Sequence, residues 1–166
     1  MHKRAPSWRQ GGKNGIRYYD TSAVLPLYID EPATEAAQDA MARDFGQLVT
    51  SVLTTVELRS GLTQYQREGV LTASQADTIY ERVQRDLSGT PRRLELTHEV
   101  LAESVRLLKT QVSLPLRTLD VLHVATCLRY GTSGFVTNDK QQARLAQAVG
   151  LDAHWLGGSL ELGVHL

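Results

Sequence analysis

The sequence predicts an α/β fold: three layers, α/β/α, around a mainly parallel central sheet. Three observations carry this. Short apolar runs alternate with segments of helical period from Ile16 to Leu156, the pattern of strands joined by crossover helices. One of those segments, Leu119 to Tyr130, is apolar almost all round, which makes it a buried helix. The first apolar run, Ile16 to Tyr19, stops at a lone acid, Asp20, followed by Thr21 and Ser22. That reads as a buried strand turning into a helix. It places Asp20 at the carboxyl end of a strand, where open α/β sheets bind their ligands.

The elements follow in order. After the first strand, Ala23 to Tyr28 forms a short helix, in which Pro26 is tolerated only near the first turn. Pro32 opens a second helix, Ala33 to Phe45, with Ala36, Ala37, Ala40 and Met41 on one side. Gln47 to Ser51 is the next strand, Leu53 to Arg67 a helix, and Gly69 ends that segment. Thr72 and Gln75 have the spacing of a capping box, starting a helix that runs to about Leu87. Arg93 to Leu96 is a short strand. His98 to Val112 is a helix with Val100, Leu101, Val105 and Leu108 apolar. Ser113 to Arg117, with Pro115, is a loop before the buried helix. Phe135 to Thr137 is a strand, Lys140 to Val149 a helix, and Ala153 to Leu156 a last strand. There are no repeats, and residues 16–156 read as one domain.

The chain of 166 residues is long enough for a full core, and 42% hydrophobic with 22% charged residues it is globular. One cysteine, Cys127, sits in the apolar helix; no disulfide can form within the chain, which suits a reducing cytoplasm. No apolar stretch reaches membrane-spanning length, so no membrane role is expected. The basic start lacks the apolar segment of a secretory signal. Charge is unevenly placed. Residues 1–17 hold Lys3, Arg4, Arg9, Lys13 and Arg17 and no acid, so the rest is net −5. Such a domain binds nucleic acid poorly by charge alone and needs a metal or a local basic surface. Residues 1–15 read as a basic flexible arm; a phosphate-contacting role, a plain tail and a start codon set too early remain open. Residues 157–166 read as a C-terminal tail.

Four acids, widely separated in sequence, come to one rim. A helix after a strand starts at that strand's carboxyl edge, and a helix before a parallel strand also starts there. Glu57 lies in the first turn of the helix after the second strand, and Asp120 in the first turn of the buried helix. Asp139 follows the Phe135 strand, and Asp20 follows the first. Each has a local reading as well. Thr54 to Glu57 fits a capping box, Asp120 favours a positive helix end, Asn138 and Asp139 suit a cap, and Asp20 suits an Asx-turn. Together they are harder to explain. Two carboxylates about 5 Å apart repel by roughly 3 kcal/mol at an effective dielectric near 20. The basic residues near them in sequence, Arg59, Arg117 and Lys140, are few. A hard divalent cation would neutralise the cluster, and an oxygen-only set selects Mg²⁺, with Mn²⁺ as a substitute.

Four segments carry a resemblance: YYDTSAVLPLY (18–28), TTVELRSGL (54–62), LRTLDVLHVATCL (116–128) and FVTND (135–139). They resemble the PIN domain, and more narrowly the VapC-type ribonuclease toxins of bacterial toxin–antitoxin pairs. The resemblance implies a Mg²⁺-dependent endoribonuclease whose metal-coordinating carboxylates are Asp20, Glu57, Asp120 and Asp139. Thr137 matches the family's hydroxyl near the last acid, and either Thr21 or Ser22 the hydroxyl after the first. It also implies an RNA substrate, a cognate VapB-like antitoxin and a homodimer. The helices Ala33–Phe45 and Thr72–Leu87 are candidates for the antitoxin groove. One departure is clear: the aromatic often found after the last acid is replaced by Gln141, Gln142 and Ala143.

In the mechanism expected from these residues, the metal lowers the pKa of a water and shields the phosphate. Arg117 and Arg59 either meet phosphate oxygens or pair with Asp120 and Glu57. His123 reads as a buried histidine with a hydrogen-bond partner rather than a base. Tyr28, Tyr65 and Trp155 are available for stacking on bases but read better as packing residues. Two phosphotransfer folds fit poorly. A haloacid-dehalogenase site wants a second Asp where Ser22 stands, and a receiver domain wants an early acidic pair. The alternative kept is a non-catalytic PIN-like module that binds RNA or protein.

Overall fold

The computed structural model describes residues 15–44, 46–89 and 92–160. The expected basic arm apart from Gly15, the expected helix end at Phe45, and residues 161–166 of the expected tail lie outside them. In chain order the elements are β1 (Tyr18–Tyr19), α1 (Thr21–Val24) running into a 3-10 turn (Leu25–Leu27), and α2 (Thr34–Arg43). Next come β2 (Thr50–Ser51), α3 (Leu53–Arg67), α4 (Ala73–Asp86), β3 (Arg93–Leu94) and α5 (His98–Thr110). The last elements among the described residues are α6 (Thr118–Tyr130), β4 (Phe135–Thr137), α7 (Lys140–Ala148) and β5 (Ala153–Trp155). Every expected element forms. β4 has the expected length, and the other strands are shorter than the expected runs, with only one end of each run in the ladder.

All the pairings are parallel. β4 lies between β1 and β5, and β2 pairs with β3. A bridge between Tyr18 and Val49, with Tyr19 N donating to Val49 O at 2.8 Å, joins the two parts into the order β3-β2-β1-β4-β5. The chain builds outward from β1 to β3, then returns to the other side of β1 with β4. The order reverses between β1 and β4, and their carboxyl ends flank the crevice where such sheets bind ligands.

Alternate strand residues face opposite layers, as the pleat requires. Tyr19, Leu48 and Val136 pack against Ala23, Val24, Ala37, Ala40, Leu58, Leu62, Ala76 and Val83 of α1 to α4. Tyr18, Val49, Leu94 and Phe135 pack against Val100, Leu107, Val121, Val124, Leu145 and Ala146 of α5 to α7. Tyr18 and Phe135 stack with centroids 5.4 Å apart. Pro26 sits at the start of its 3-10 turn, where its missing N–H costs nothing. Gly131 ends α6 with a φ of 65°, the left-handed cap that glycine adopts without strain.

α5 buries only part of its apolar set. Val100, Ser104 and Leu107 are buried, whereas Leu101, Val105 and Leu108 are 45%, 66% and 41% exposed. Two apolar stripes share this helix, about 100° apart, and only one can face α6. The Thr72–Gln75 capping box is formed in both directions. Thr72→Ala should therefore lower the unfolding free energy by about 1 kcal/mol in urea melts, without moving the functional site.

Candidate functional site

β1 and β4 end side by side and deliver Asp20 and Asp139 to the crevice. Asp20 caps α1: its carboxylate accepts from Ser22 N at 3.3 Å and from Ser22 Oγ at 2.8 Å. Asp139 caps α7 and accepts from Gln142 N at 2.9 Å. The local cap readings of both acids are thus true, and neither prevents the carboxylates from lying at the crevice. Asp120 sits in the first turn of α6, where the helix dipole favours it. The capping-box reading of Glu57 fails. α3 begins at Leu53 with no side-chain cap, so Thr54 and Glu57 are inside the helix.

Hydrogen bonds tie the acids into two clusters that start from the consecutive residues Thr21 and Ser22. In the first, Thr50, Thr54 and Thr21 form a hydroxyl chain, at 2.7 and 3.0 Å, and Thr21 donates to Glu57 Oε1 at 2.8 Å. His123 Nε2 meets the same oxygen at 2.5 Å, and His123 Nδ1 meets the Tyr18 hydroxyl at 2.6 Å. In the second, the Ser22 hydroxyl that holds Asp20 lies 3.2 Å from Thr137 Oγ1 and accepts from Asn138 N. Thr137 donates to Gln142 Oε1 at 2.7 Å and accepts from Asp139 N, while Gln142 Nε2 donates to the carbonyl of Asp120. Arg117 completes the set. Its guanidinium donates to Asp120 Oδ2 at 2.8 Å and to Asp139 Oδ2 at 2.6 Å.

Burial sets the charges. Asp20 is 5% exposed, and burial pushes its pKa up to about 6 against the pull of His123 and Ser22. It forms no ion pair among the described residues. Burial opposes the charged form of His123, but the contact with Glu57 outweighs it and Asp20 adds to the effect, so its pKa is raised. Burial raises Glu57 in turn, yet the His123 contact wins and its pKa is lowered. The two shifts agree in direction: the contact favours the charged form of each partner. Burial keeps Asp120 raised despite Arg117. Burial also pushes the Cys127 thiol up to about 12, leaving it the inert small hydrophobe expected.

The donor chemistry suits a hard divalent cation. Four carboxylates and the hydroxyls of Thr21, Ser22 and Thr137 are all oxygen donors, and Asp20 is a buried carboxylate with no cationic partner. Among the described residues, however, no three His, Cys, Asp or Glu side chains form a ready-made metal cage. Glu57 is turned to His123, and Arg117 lies across the other two acids. The expected residues are therefore linked through intermediaries rather than gathered around one point.

Several other expectations change. Arg59 pairs with Asp77 at 2.6 Å and lies over Tyr80, so it is not at the crevice. Tyr28 and Tyr65 bond to Asp86 and Glu31. Trp155 donates to the carbonyl of Asn138 and carries Lys140 5.0 Å from its ring centroid. Three contributions escape sequence reasoning: Gln142 as a buried hub, Tyr18 as the anchor of His123, and the Thr50–Thr54 hydroxyl chain. Only the polar residues in otherwise apolar strand and helix positions signal them.

The PIN domain family profile matches residues 17–148. Among solved structures, FitAcB from Neisseria gonorrhoeae superposes with a TM-score of 0.62 at 18% identity, covering 80% of this chain and 94% of that one. VapBC-1 from nontypeable Haemophilus influenzae superposes with a TM-score of 0.56 at 18% identity, covering 86% and 99%. These likenesses bear on the fold. Among proteins with curated descriptions, none matches the chain.

Proposed function

This chain belongs to the PIN domain family, and from that premise we propose that it is a Mg²⁺-dependent endoribonuclease, the toxin of a toxin–antitoxin pair. The observation that carries the reading is the crevice at the reversal of strand order. There Asp20, buried and in no ion pair among the described residues, lies in one hydrogen-bonded network with Asp139 and Asp120, and Glu57 in a second network that starts from Thr21, the neighbour of Asp20 and Ser22.

In this reading Asp20, Glu57, Asp120 and Asp139 hold the metal, which Mn²⁺ can replace, directly or through water. When bound, the metal supplies an acidified water and shields the phosphate charge. The chain's own residues set the geometry. His123 and Thr21 fix Glu57 Oε1; Ser22 fixes Asp20; Gln142 and Thr137 fix the backbone that carries Asp120 and Asp139. Thr137, with no free proton to spare for its neighbours, serves as an acceptor at the backbone of Asp139.

The partners are proposals of the same kind. The neighbour VapBC-1 carries the name of such a pair, which supports a VapB-like antitoxin. The exposed stripe Leu101, Val105 and Leu108 of α5 offers an apolar surface for a homodimer. No helix among the described residues is long and apolar enough to cross a membrane; a cytoplasmic site of action is proposed.

The test is cleavage of a fluorophore–quencher single-stranded RNA by the full chain. Cleavage is expected with Mg²⁺ or Mn²⁺ and is expected to stop on adding EDTA. Equal rates with and without EDTA overturn the metal mechanism. RNA binding with no cleavage under any divalent cation favours the non-catalytic module instead.

A further inference from the structure

Asp120 and Asp139 share one partner. Arg117 reaches both, through Nε at 2.8 Å and Nη2 at 2.6 Å. The burial of the three side chains is unequal. Asp120 and Asp139 are 15% and 26% exposed, whereas Arg117 is 73% exposed. Arg117 is the N-cap residue of α6, with extended backbone, so its side chain can swing without disturbing a helical turn. Pairs with so exposed a partner are weak and easily broken. Gln142 holds the Asp139 carboxylate through its N–H and Asp120 through its backbone carbonyl; among the described residues the guanidinium is hydrogen-bonded only to the two acids.

We propose that Arg117 is a built-in counter-ion that occupies Asp120 and Asp139 in the metal-free protein, is displaced by the entering cation, and then binds a phosphate of the RNA. The proposal rests on the metal-site reading above. A single guanidinium and a divalent cation cannot both sit between these carboxylates. Binding the cation therefore means breaking both arginine contacts. Once released, a planar guanidinium at the rim is matched to phosphate oxygens. Metal entry and substrate grip are thereby coupled through one side chain. Removing that side chain should move the two affinities in opposite directions, a signature that neither a plain structural salt bridge nor a plain phosphate contact produces.

The experiment titrates Mn²⁺ alone into the full chain, with free Mn²⁺ read by its EPR signal, for wild type, Arg117→Gln, Arg117→Lys and Asp20→Asn. Arg117→Gln should bind Mn²⁺ about fivefold tighter, the ratio matching the upper worth of an exposed ion pair. Arg117→Lys, a point charge that cannot bridge both acids, should fall between. In steady-state cleavage Arg117→Gln should raise KM for RNA about tenfold with a smaller change in kcat, as loss of one charge-assisted phosphate contact predicts. Unchanged or weaker Mn²⁺ binding in Arg117→Gln overturns the counter-ion role, and an unchanged KM overturns the phosphate role. Wild type and Asp20→Asn binding Mn²⁺ equally poorly would overturn the metal site itself, and this proposal with it. A melt of each variant confirms that the exposed position leaves the fold intact.

Discussion

Asp20→Asn is expected to remove metal-dependent RNA cleavage and, in the same variant, to make the metal-free protein more stable. The loss of activity should be at least about a hundredfold, because a metal's charge stabilisation of the transition state is worth several kcal/mol. The gain in stability has a separate cause. Asp20 is 5% exposed and its pKa stands at about 6 in the folded chain, against about 4 when unfolded. The folded state therefore holds the proton more tightly. Stability linked to Asp20 is greatest below about pH 4 and is lost as pH rises towards 6. Above that, burying the charge costs up to about 3 kcal/mol, of which an amide recovers about 1–3 kcal/mol. Urea melts with EDTA at pH 4 and pH 7 should show wild type and Asp20→Asn diverging with rising pH. A variant that is less stable than wild type at pH 7 would show that the buried charge is already compensated.

His123→Ala has the largest expected effect on folding. The imidazole is 1% exposed, touches Tyr18 and Glu57, and carries the tie between α6 and α3. Truncation opens a cavity and removes the His123 partner of the buried Tyr18 hydroxyl, together about 3 kcal/mol. His123→Phe keeps most of the volume and isolates the polar loss. With His123 raised and Glu57 lowered, the pair's contribution has a sign on each flank. The His123 part is fully present below its unfolded pKa near 6.5 and fades as pH rises through its higher folded value. The Glu57 part is present above about pH 4 and fades as pH falls through its lower folded value. The stability difference between wild type and His123→Phe should peak near pH 5 to 6. Metal affinity should drop as well, since Glu57 Oε1 loses its anchor. A pH-independent difference with unchanged metal affinity would reduce His123 to a packing residue.

The division between what was legible and what was not follows from the range of the interactions. The alternation of runs located every element, and the crossover rule put all four acids at one edge, because both depend on local period and chain handedness. The capping box at Thr72 was readable for the same reason: its partners are three residues apart. The capping box at Thr54 was misread because Val52 is the N-cap residue, so Thr54 is already inside the helix and its hydroxyl bonds Thr50 and Thr21 instead. The hydroxyl after Asp20 was left open between two residues, and both are used, Thr21 towards Glu57 and Ser22 towards Asp20 and Asn138. Nothing local separates those roles; they depend on which strand and helix lie opposite.

By itself the sequence determined the α/β class, the parallel sheet and where the four acids lie relative to strand and helix ends, since hydrophobic period and connection handedness act within a few dozen residues. Tertiary structure alone decided what each acid touches. Arg117 bridges Asp120 and Asp139, Tyr18 holds His123 from across the core, and Gln142 joins Thr137 to the carbonyl of Asp120. Such contacts span up to 105 residues of chain. They are set by packing between layers, where a hydrogen bond forms only after both groups have been buried side by side.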